Sequence, residues 1–509
     1  MSGNEARDVA AQDVVIGVDM GTTATKVVAY RRDGELIARW QRGYPLDEPQ
    51  PGHAVQDPRL ILAAVLTGVA AVSAEIGHDR VAGLSFSTAM HSLMGLDAEL
   101  RPITPVITWA DTRATAQAER IRAAEGGLAL HRRTGTPVHP MSPLTKLVWI
   151  REQDPDLHAR AAHWVGIKDW VQLHLTGTLV TDHSVASASG LMDIHRLAWD
   201  PEALALAGID EAQLPELVST TTVLPGLTIE ATAATGLAAT TPVIVGAGDG
   251  PLANLGVGAV RPGVAACSIG TSGALRVAVE RPAVDPAGGV FCYALTEDRW
   301  VVGGAINNGG VALEWLRGEI AADTPTATLL DEAATVPVGA GGLLMLPHLL
   351  GERAPRWAGG ARGASVGLTR AHHRGHLVRA AVEGVAMQLA LVLGAMRGAG
   401  FDIHEIRATG GVMQHPLWPA TLAAAFGTPL ALLDDGEGSG FGAALLGMKA
   451  LGLIDSLDAA AELVEIRARL DPDPASAQTY AVLIPLFGGL ADTLAPANRA
   501  LRDLKLPLA

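Results

Sequence analysis

Residues 14–30 read VVIGVDMGTTATKVVAY. A run of mostly β-branched residues, Val14 to Val18, leads into Asp19. The small-residue turn Gly21-Thr22-Thr23 follows, and a second apolar run spans Val27 to Tyr30. This pattern predicts a strand, a tight turn and a strand. A residue without Cβ at the turn lets backbone N–H groups close on an anion. The threonine hydroxyls add donors, and Lys26, one of five lysines in the chain, adds positive charge. Asp19, at the strand end, is placed to hold a hydrated divalent cation. The stretch reads as a phosphate-and-metal hairpin, or else as an ordinary hairpin with a Gly-Thr turn.

Residues 264–279, VAACSIGTSGALRVAV, repeat the design: an apolar strand, Gly270-Thr271-Ser272-Gly273, then an apolar strand carrying Arg276. Met20-Gly21-Thr22-Thr23 sits over Ile269-Gly270-Thr271-Ser272. Two such hairpins half a chain apart suggest a duplicated fold that clamps a nucleotide phosphate chain from both sides. At this point the sequence resembles the superfamily of sugar kinases, heat-shock ATPases and actin. No Gly-x-x-x-x-Gly-Lys stretch is present, which argues against a P-loop enzyme.

The bulk numbers agree with a large globular chain. At 509 residues two or more domains are expected. With 49% hydrophobic and 18% charged residues the chain can build well-packed cores. A net charge of −15 argues against a nucleic-acid partner, although a few converging cations could still hold an anionic substrate. Two cysteines, Cys267 and Cys292, offer neither a disulfide framework nor metal-ligand spacing and read as small buried hydrophobes. The polar N-terminus lacks an apolar signal core, and no uninterrupted apolar run is long enough to span a bilayer. A cytoplasmic protein with no membrane partner and a loose tail over residues 1–12 is expected.

Along the chain, Asp57-Pro58 opens a helix to about Ile76, with proline in the first turn. Val81 to Ser87 is a buried strand that ends at Thr88-Ala89-Met90-His91, where α/β folds place ligand-binding groups. His91 reads equally as a core histidine. In Trp109-Ala110-Asp111-Thr112-Arg113 the ring can stack on a sugar's carbon face, Asp111 can accept from hydroxyls and Arg113 can pair with an anion. The other reading is a helix cap with a solvated arginine. Three prolines in TGTPVHPMSP, residues 134–143, hold an extended loop, and a helix carrying Lys146 and Trp149 follows.

PVIVGAGDG, residues 242–250, is a buried strand running into glycines on both sides of Asp249. Such a bare carboxylate can take a proton from a substrate hydroxyl; an Asp-Gly turn is the plainer alternative. A domain boundary is expected near Gly256–Pro262, between domains at 13–257 and 258–509. Asn307-Asn308-Gly309-Gly310 leads into a helix. In IRATGGVMQ, residues 406–414, the glycine pair would let a flat base lie against bare backbone, with His415 opening the next helix.

Taken together, the chain resembles the FGGY carbohydrate kinases from Asp13 to about Leu490. MSPLTKLVWIREQ, residues 141–153, looks like the family's first signature, and FSTAMHSLMGLD, TWADTRA and SASGLMDIH look most like its gluconate kinase branch. The resemblance implies an α/β fold of two actin-like, ribonuclease H-like ATPase domains around a central cleft, sugar on the N-terminal domain and ATP on the C-terminal one. It implies that Asp19 helps hold Mg²⁺, that Gly21, Thr22, Thr23 and Lys26 meet the ATP phosphates, and that Gly270 and Thr271 form the second phosphate contact. Gly310, Gly411 and His415 would lie at the nucleoside. Asp249 would be the general base and also touch the substrate, with Met90, His91, Trp109, Asp111 and Met141 as further substrate contacts. Arg113 and Lys168 are the cations expected near a sugar-acid carboxylate. The implied reaction is ATP-dependent phosphorylation of D-gluconate to 6-phospho-D-gluconate, and the implied assembly is a homodimer. The rivals are a xylulose or other pentulose or polyol kinase, and an ATP-driven conformational protein of the actin or heat-shock type. Gln414-His415 departs from the family's common pattern, as does Ser365 in the second signature.

Overall fold

The computed structural model describes residues 12–504 apart from 435 and 437. Except for Gln12, the expected loose tail lies outside the described residues.

Two sheets share one plan. In the first, Val14–Met20 pairs antiparallel with Ala24–Arg31, which pairs antiparallel with Leu36–Gly43. On its other side Val14–Met20 runs parallel to Val81–Thr88, and that strand parallel to Val243–Gly248. The short strand Val223–Leu224 closes the edge in antiparallel sense. In the second sheet Val264–Ile269 pairs antiparallel with Gly273–Val279, and that strand with Trp300–Ile306. Val264–Ile269 also runs parallel to Glu405–Thr409, which runs parallel to Leu430–Leu432. Ala468–Leu470 closes the edge antiparallel. The central strands are buried on both faces, so they read as continuous Val, Ile and Ala runs. The α/β, two-domain expectation and the duplicated hairpin are thus present as a repeated strand order.

Two helices hold the halves together. Asp249–Gly256 follows the last long strand of the first sheet. Gly438–Ala450, from the second half, crosses it and lies back on the first sheet. Glycines permit the crossing: a Cβ on Gly256 would stand 1.7 Å from Gly438 O, and one on Gly17 would stand 2.2 Å from Gly440 O. A second seam joins the halves where the strand Phe291–Ala294 meets the first half. Cys292 N–H donates to Gly135 O (2.8 Å), and Ala294 N–H donates to Ser187 Oγ (3.0 Å).

The helix at Pro58–Ile76 begins where Asp57 accepts the Arg59 N–H at 2.9 Å. Pro58–Ile76, Arg374–Gly398 and Pro474–Leu501 are long and apolar enough, by length and composition, to cross a membrane. This corrects the expectation that no such run exists. Arg374–Gly398 spends its apolar surface inside the second half, mostly buried, with an Arg379–Glu383 ion pair of 2.7 Å within it.

Candidate active site

Both hairpin turns open onto one cleft. In the first, pairing ends at Met20↔Thr25, and Gly21 N–H donates to Ala24 O at 3.0 Å. In the second, pairing ends at Ile269↔Gly273, and Gly270 N–H donates to Ser272 O at 2.9 Å. Thr22 from one turn and Gly270 and Thr271 from the other line a cleft of about 320 Å³, together with Met90, His91, Trp109, Met141 and Asp249. Gly21 borders a small recess behind Thr22, and Thr23 is exposed. Lys26 stands directly across from Asp19 in the hairpin register.

A second cavity, of about 750 Å³, shares Gly270 and Thr271 with the first and continues past Gly310, Gly411, Gln414, His415 and Trp418. The turn at 270–272 is therefore the wall between a sugar-sized cleft and a nucleotide-sized one. Gly309 and Gly310 seat a helix N-terminus against that wall. Gly310 N–H donates to Gly270 O at 2.7 Å, and a Cβ on Gly309 would stand 2.5 Å from Ser272 O. Gly410, at φ 113°, must be glycine because a Cβ there would meet Ile269 O at 2.0 Å. Gly411 has open space where a side chain would be. His415 faces Asp331 at 3.3 Å, and its Nδ1 accepts the Leu417 N–H at 3.2 Å.

Asp249 starts its helix immediately after Gly248, half-buried at the cleft wall. Burial, and then the negative charge of Asp19, push its carboxyl up to about 6, against the opposing pull of Arg276. Asp19 accepts from Ser87 Oγ (2.7 Å) on the neighbouring strand and from Ser439 Oγ (2.8 Å) on the crossing helix. Two interacting carboxylates with hydroxyls around them form an all-oxygen surround suited to a hydrated Mg²⁺. Such an ion is held through one or two carboxylates plus phosphates rather than by a dedicated protein cage. No cluster of three or more His, Cys, Asp or Glu side chains that could hold a metal ion occurs among the described residues.

The cleft wall around His91 and Trp109 is built from loops. His91 sits in the left-handed region at φ 65°. Burial, then the Lys146 ammonium, pull its imidazole down to about 3, so the ring is neutral. Its Nδ1 lies 2.7 Å from Ala188 O and its Nε2 lies 3.5 Å from Tyr293 Oη, which fits Nδ1–H donating to the carbonyl. Trp109 Nε1–H donates to Thr22 Oγ1 at 2.7 Å, while the Arg353 guanidinium lies 5.0 Å from the centre of its ring. Buried Lys146 ties these loops, donating to His91 O (2.7 Å) and Thr108 O (2.8 Å).

Three expected substrate groups lie elsewhere. Asp111 is fully buried, pairs with Arg113 at 2.7 Å and accepts the Ala54 N–H at 2.8 Å. It organises the loop that carries Trp109 and is absent from the cleft lining. Arg113 is held by Asp111 and stacks 5.2 Å over Trp149. Lys168 is buried against Asp182 and the Val245 carbonyl. The cations that line the cleft are Arg276 and Arg353, beside Phe291, Tyr293 and Trp357. Arg276 had a visible signal as a lone charge in the apolar run ALRVAV. Neither Arg353 nor Tyr293 was among the expected substrate groups.

A two-lobed fold in which paired glycine-threonine turns meet, with a carboxyl on the wall of a cleft that shares one turn with a larger cavity, is that of a phosphoryl-transfer enzyme of the actin-like ATPase type. The chain belongs to the FGGY family of carbohydrate kinases. Residues 14–256 match that family's N-terminal domain and residues 265–451 its C-terminal domain. It is 39% identical to the gluconokinase of Bacillus subtilis (strain 168), over 94% of this chain and 96% of that one. It is 30% identical to the xylulose kinase of the same organism, over 96% and 99%. Among solved structures, a gluconate kinase from Lactobacillus acidophilus superposes with a TM-score of 0.92 at 35% identity, covering 96% of this chain and 99% of that one. A ligand-bound xylulose kinase from the same organism matches with the same figures.

Proposed function

We propose that this carbohydrate kinase transfers the terminal phosphoryl group of ATP to D-gluconate, giving 6-phospho-D-gluconate. The observation that carries the reaction class is the shared wall: Gly270 and Thr271 border both cavities, and Asp249 lines the sugar side of it. ATP would lie along Gly310, Gly411 and His415 with its phosphates at the two turns. Asp249 would accept the proton of the substrate's terminal hydroxyl as that oxygen attacks phosphorus in line. A carboxyl raised to about 6 suits a base working near neutrality. Asp19, with the Ser87 and Ser439 hydroxyls around it, would help hold Mg²⁺, which when bound neutralises phosphate charge. Met90, neutral His91, Trp109 and Met141 would fix the sugar and exclude water that could otherwise take the phosphoryl group.

Gluconate is preferred because the sequence is closer to gluconokinase than to xylulose kinase, 39% against 30% identity. A ketopentose kinase is the second reading, favoured by the equal superposition on a xylulose kinase. Cytoplasmic location and a homodimer belong to the same proposal, the latter read by light scattering. The deciding experiment is a coupled ADP-release assay over D-gluconate, D-xylulose, D-ribulose and glycerol. Gluconate is expected to give the highest kcat/KM. No gluconate-dependent ADP above background would end the proposal.

A further inference from the structure

Two guanidiniums face the sugar cleft, and their commitments differ. Arg353 lies over the Trp109 ring, donates from Nη2 to Ile306 O at 3.1 Å and follows the buried carboxylate of Glu352 in sequence. Arg276 stands on the strand Gly273–Val279. Its Nε, like that of Arg353, is shielded from solvent without a hydrogen-bond partner, and among the described residues neither guanidinium forms an ion pair within 4.0 Å; Arg276 differs in having neither the carbonyl nor the ring contact that Arg353 makes. A half-buried cation without a counter-ion is costly, and a site built to bind an anion is where such a cost is tolerated. The carboxylate whose field reaches Arg276 is that of Asp249, which phosphoryl transfer needs free for the hydroxyl.

The position of Arg276 separates two anions that it could meet. Gly270 and Thr271 line both cavities, whereas Arg276 lines only the sugar cleft. Ala274 and Arg276 share the cleft face of their strand, and three residues of strand carry the Arg276 backbone about 10 Å beyond Gly273. The guanidinium lies beside the start of the Asp249 helix: a Cβ on Gly250 would stand 3.5 Å from Arg276 Nε. A sugar acid bound in this cleft brings its carboxylate among two guanidiniums, and Arg276 is the one not already engaged by a carbonyl and an indole ring.

We infer that Arg276 is the receptor for the substrate's carboxylate, and so the residue that separates a sugar acid from a neutral ketose or polyol. This rests on the gluconate reading. The test compares D-gluconate with its neutral amide, D-gluconamide, in the full-length enzyme and in Arg276→Gln and Arg276→Lys. A charge-assisted pair predicts that the unmodified enzyme favours gluconate over the amide about 10–100-fold in kcat/KM. Arg276→Gln should lose about that factor on gluconate, mainly through KM, with the amide changed less than about threefold. The KM for ATP should stay unchanged, and Arg276→Lys should recover part of the loss on gluconate alone. Equal losses on acid and amide, or a raised KM for ATP, would overturn the inference while leaving gluconate as substrate. If the unmodified enzyme turns over neither gluconate nor its amide but accepts a neutral ketose, the gluconate reading itself falls, and this inference with it.

Discussion

Replacing Asp249 by asparagine removes the proposed base while preserving its shape. A positioned base contributes about 10²–10⁴-fold in rate, so kcat in Asp249→Asn should fall on that scale. The unmodified enzyme should show the same group titrating. With the carboxyl near 6, about 90% is ionised at pH 7 and about 10% at pH 5, so kcat/KM should drop roughly ninefold between them. The folded value is raised above the ordinary 3.8. The protonated form is therefore the one that the fold favours, and that contribution is lost as pH rises through about 6. At pH 8 the ionised carboxylate opposes folding by on the order of 3 kcal/mol, from the rise of its value from 3.8 to about 6. Asp249→Asn should consequently melt no lower than the unmodified protein at pH 8 while losing turnover. Steady-state kinetics across pH 4.5–8.5 (roughly the range that brackets the group) and thermal melts read both effects. Near-normal turnover in the variant, or an acid limb whose midpoint stays near the ordinary carboxylate value, would refute the reasoning.

Lys146→Met leaves the carbonyls of His91 and Thr108 without their shared donor; at about 1–3 kcal/mol per unmet buried group, KM for the sugar should rise at least about tenfold with KM for ATP unchanged. Asp111→Ala should cost about 3–5 kcal/mol in a denaturant melt by stranding Arg113, and should raise sugar KM indirectly, with KM for ATP unchanged, by loosening the loop that carries Trp109. A Cβ at Gly256 would stand 1.7 Å from Gly438 O, so Gly256→Ala should lower stability by about 1–3 kcal/mol and disturb both cavities at once, read by melting and by KM for sugar and ATP.

What the sequence determined on its own is what lies close along the chain. Each phosphate hairpin forms between residues fewer than twenty positions apart, and glycine, threonine and β-branched residues leave the backbone few other choices there. Asp249 was legible for the same reason, since its flanking glycines and preceding strand are local. The meeting of the two hairpins, and the sharing of Gly270 and Thr271 by two cavities, were decided by the tertiary structure. So were the fates of the charges. Asp111 and Arg113 looked like ligand groups because nothing local says which face of a loop points inward, and the fold turned them on each other. Arg276, Tyr293 and Arg353 come from three segments of the second half that converge on loops of the first. That convergence depends on a strand-to-lobe seam and a glycine-lined helix crossing, contacts whose partners lie more than a hundred residues away in the chain.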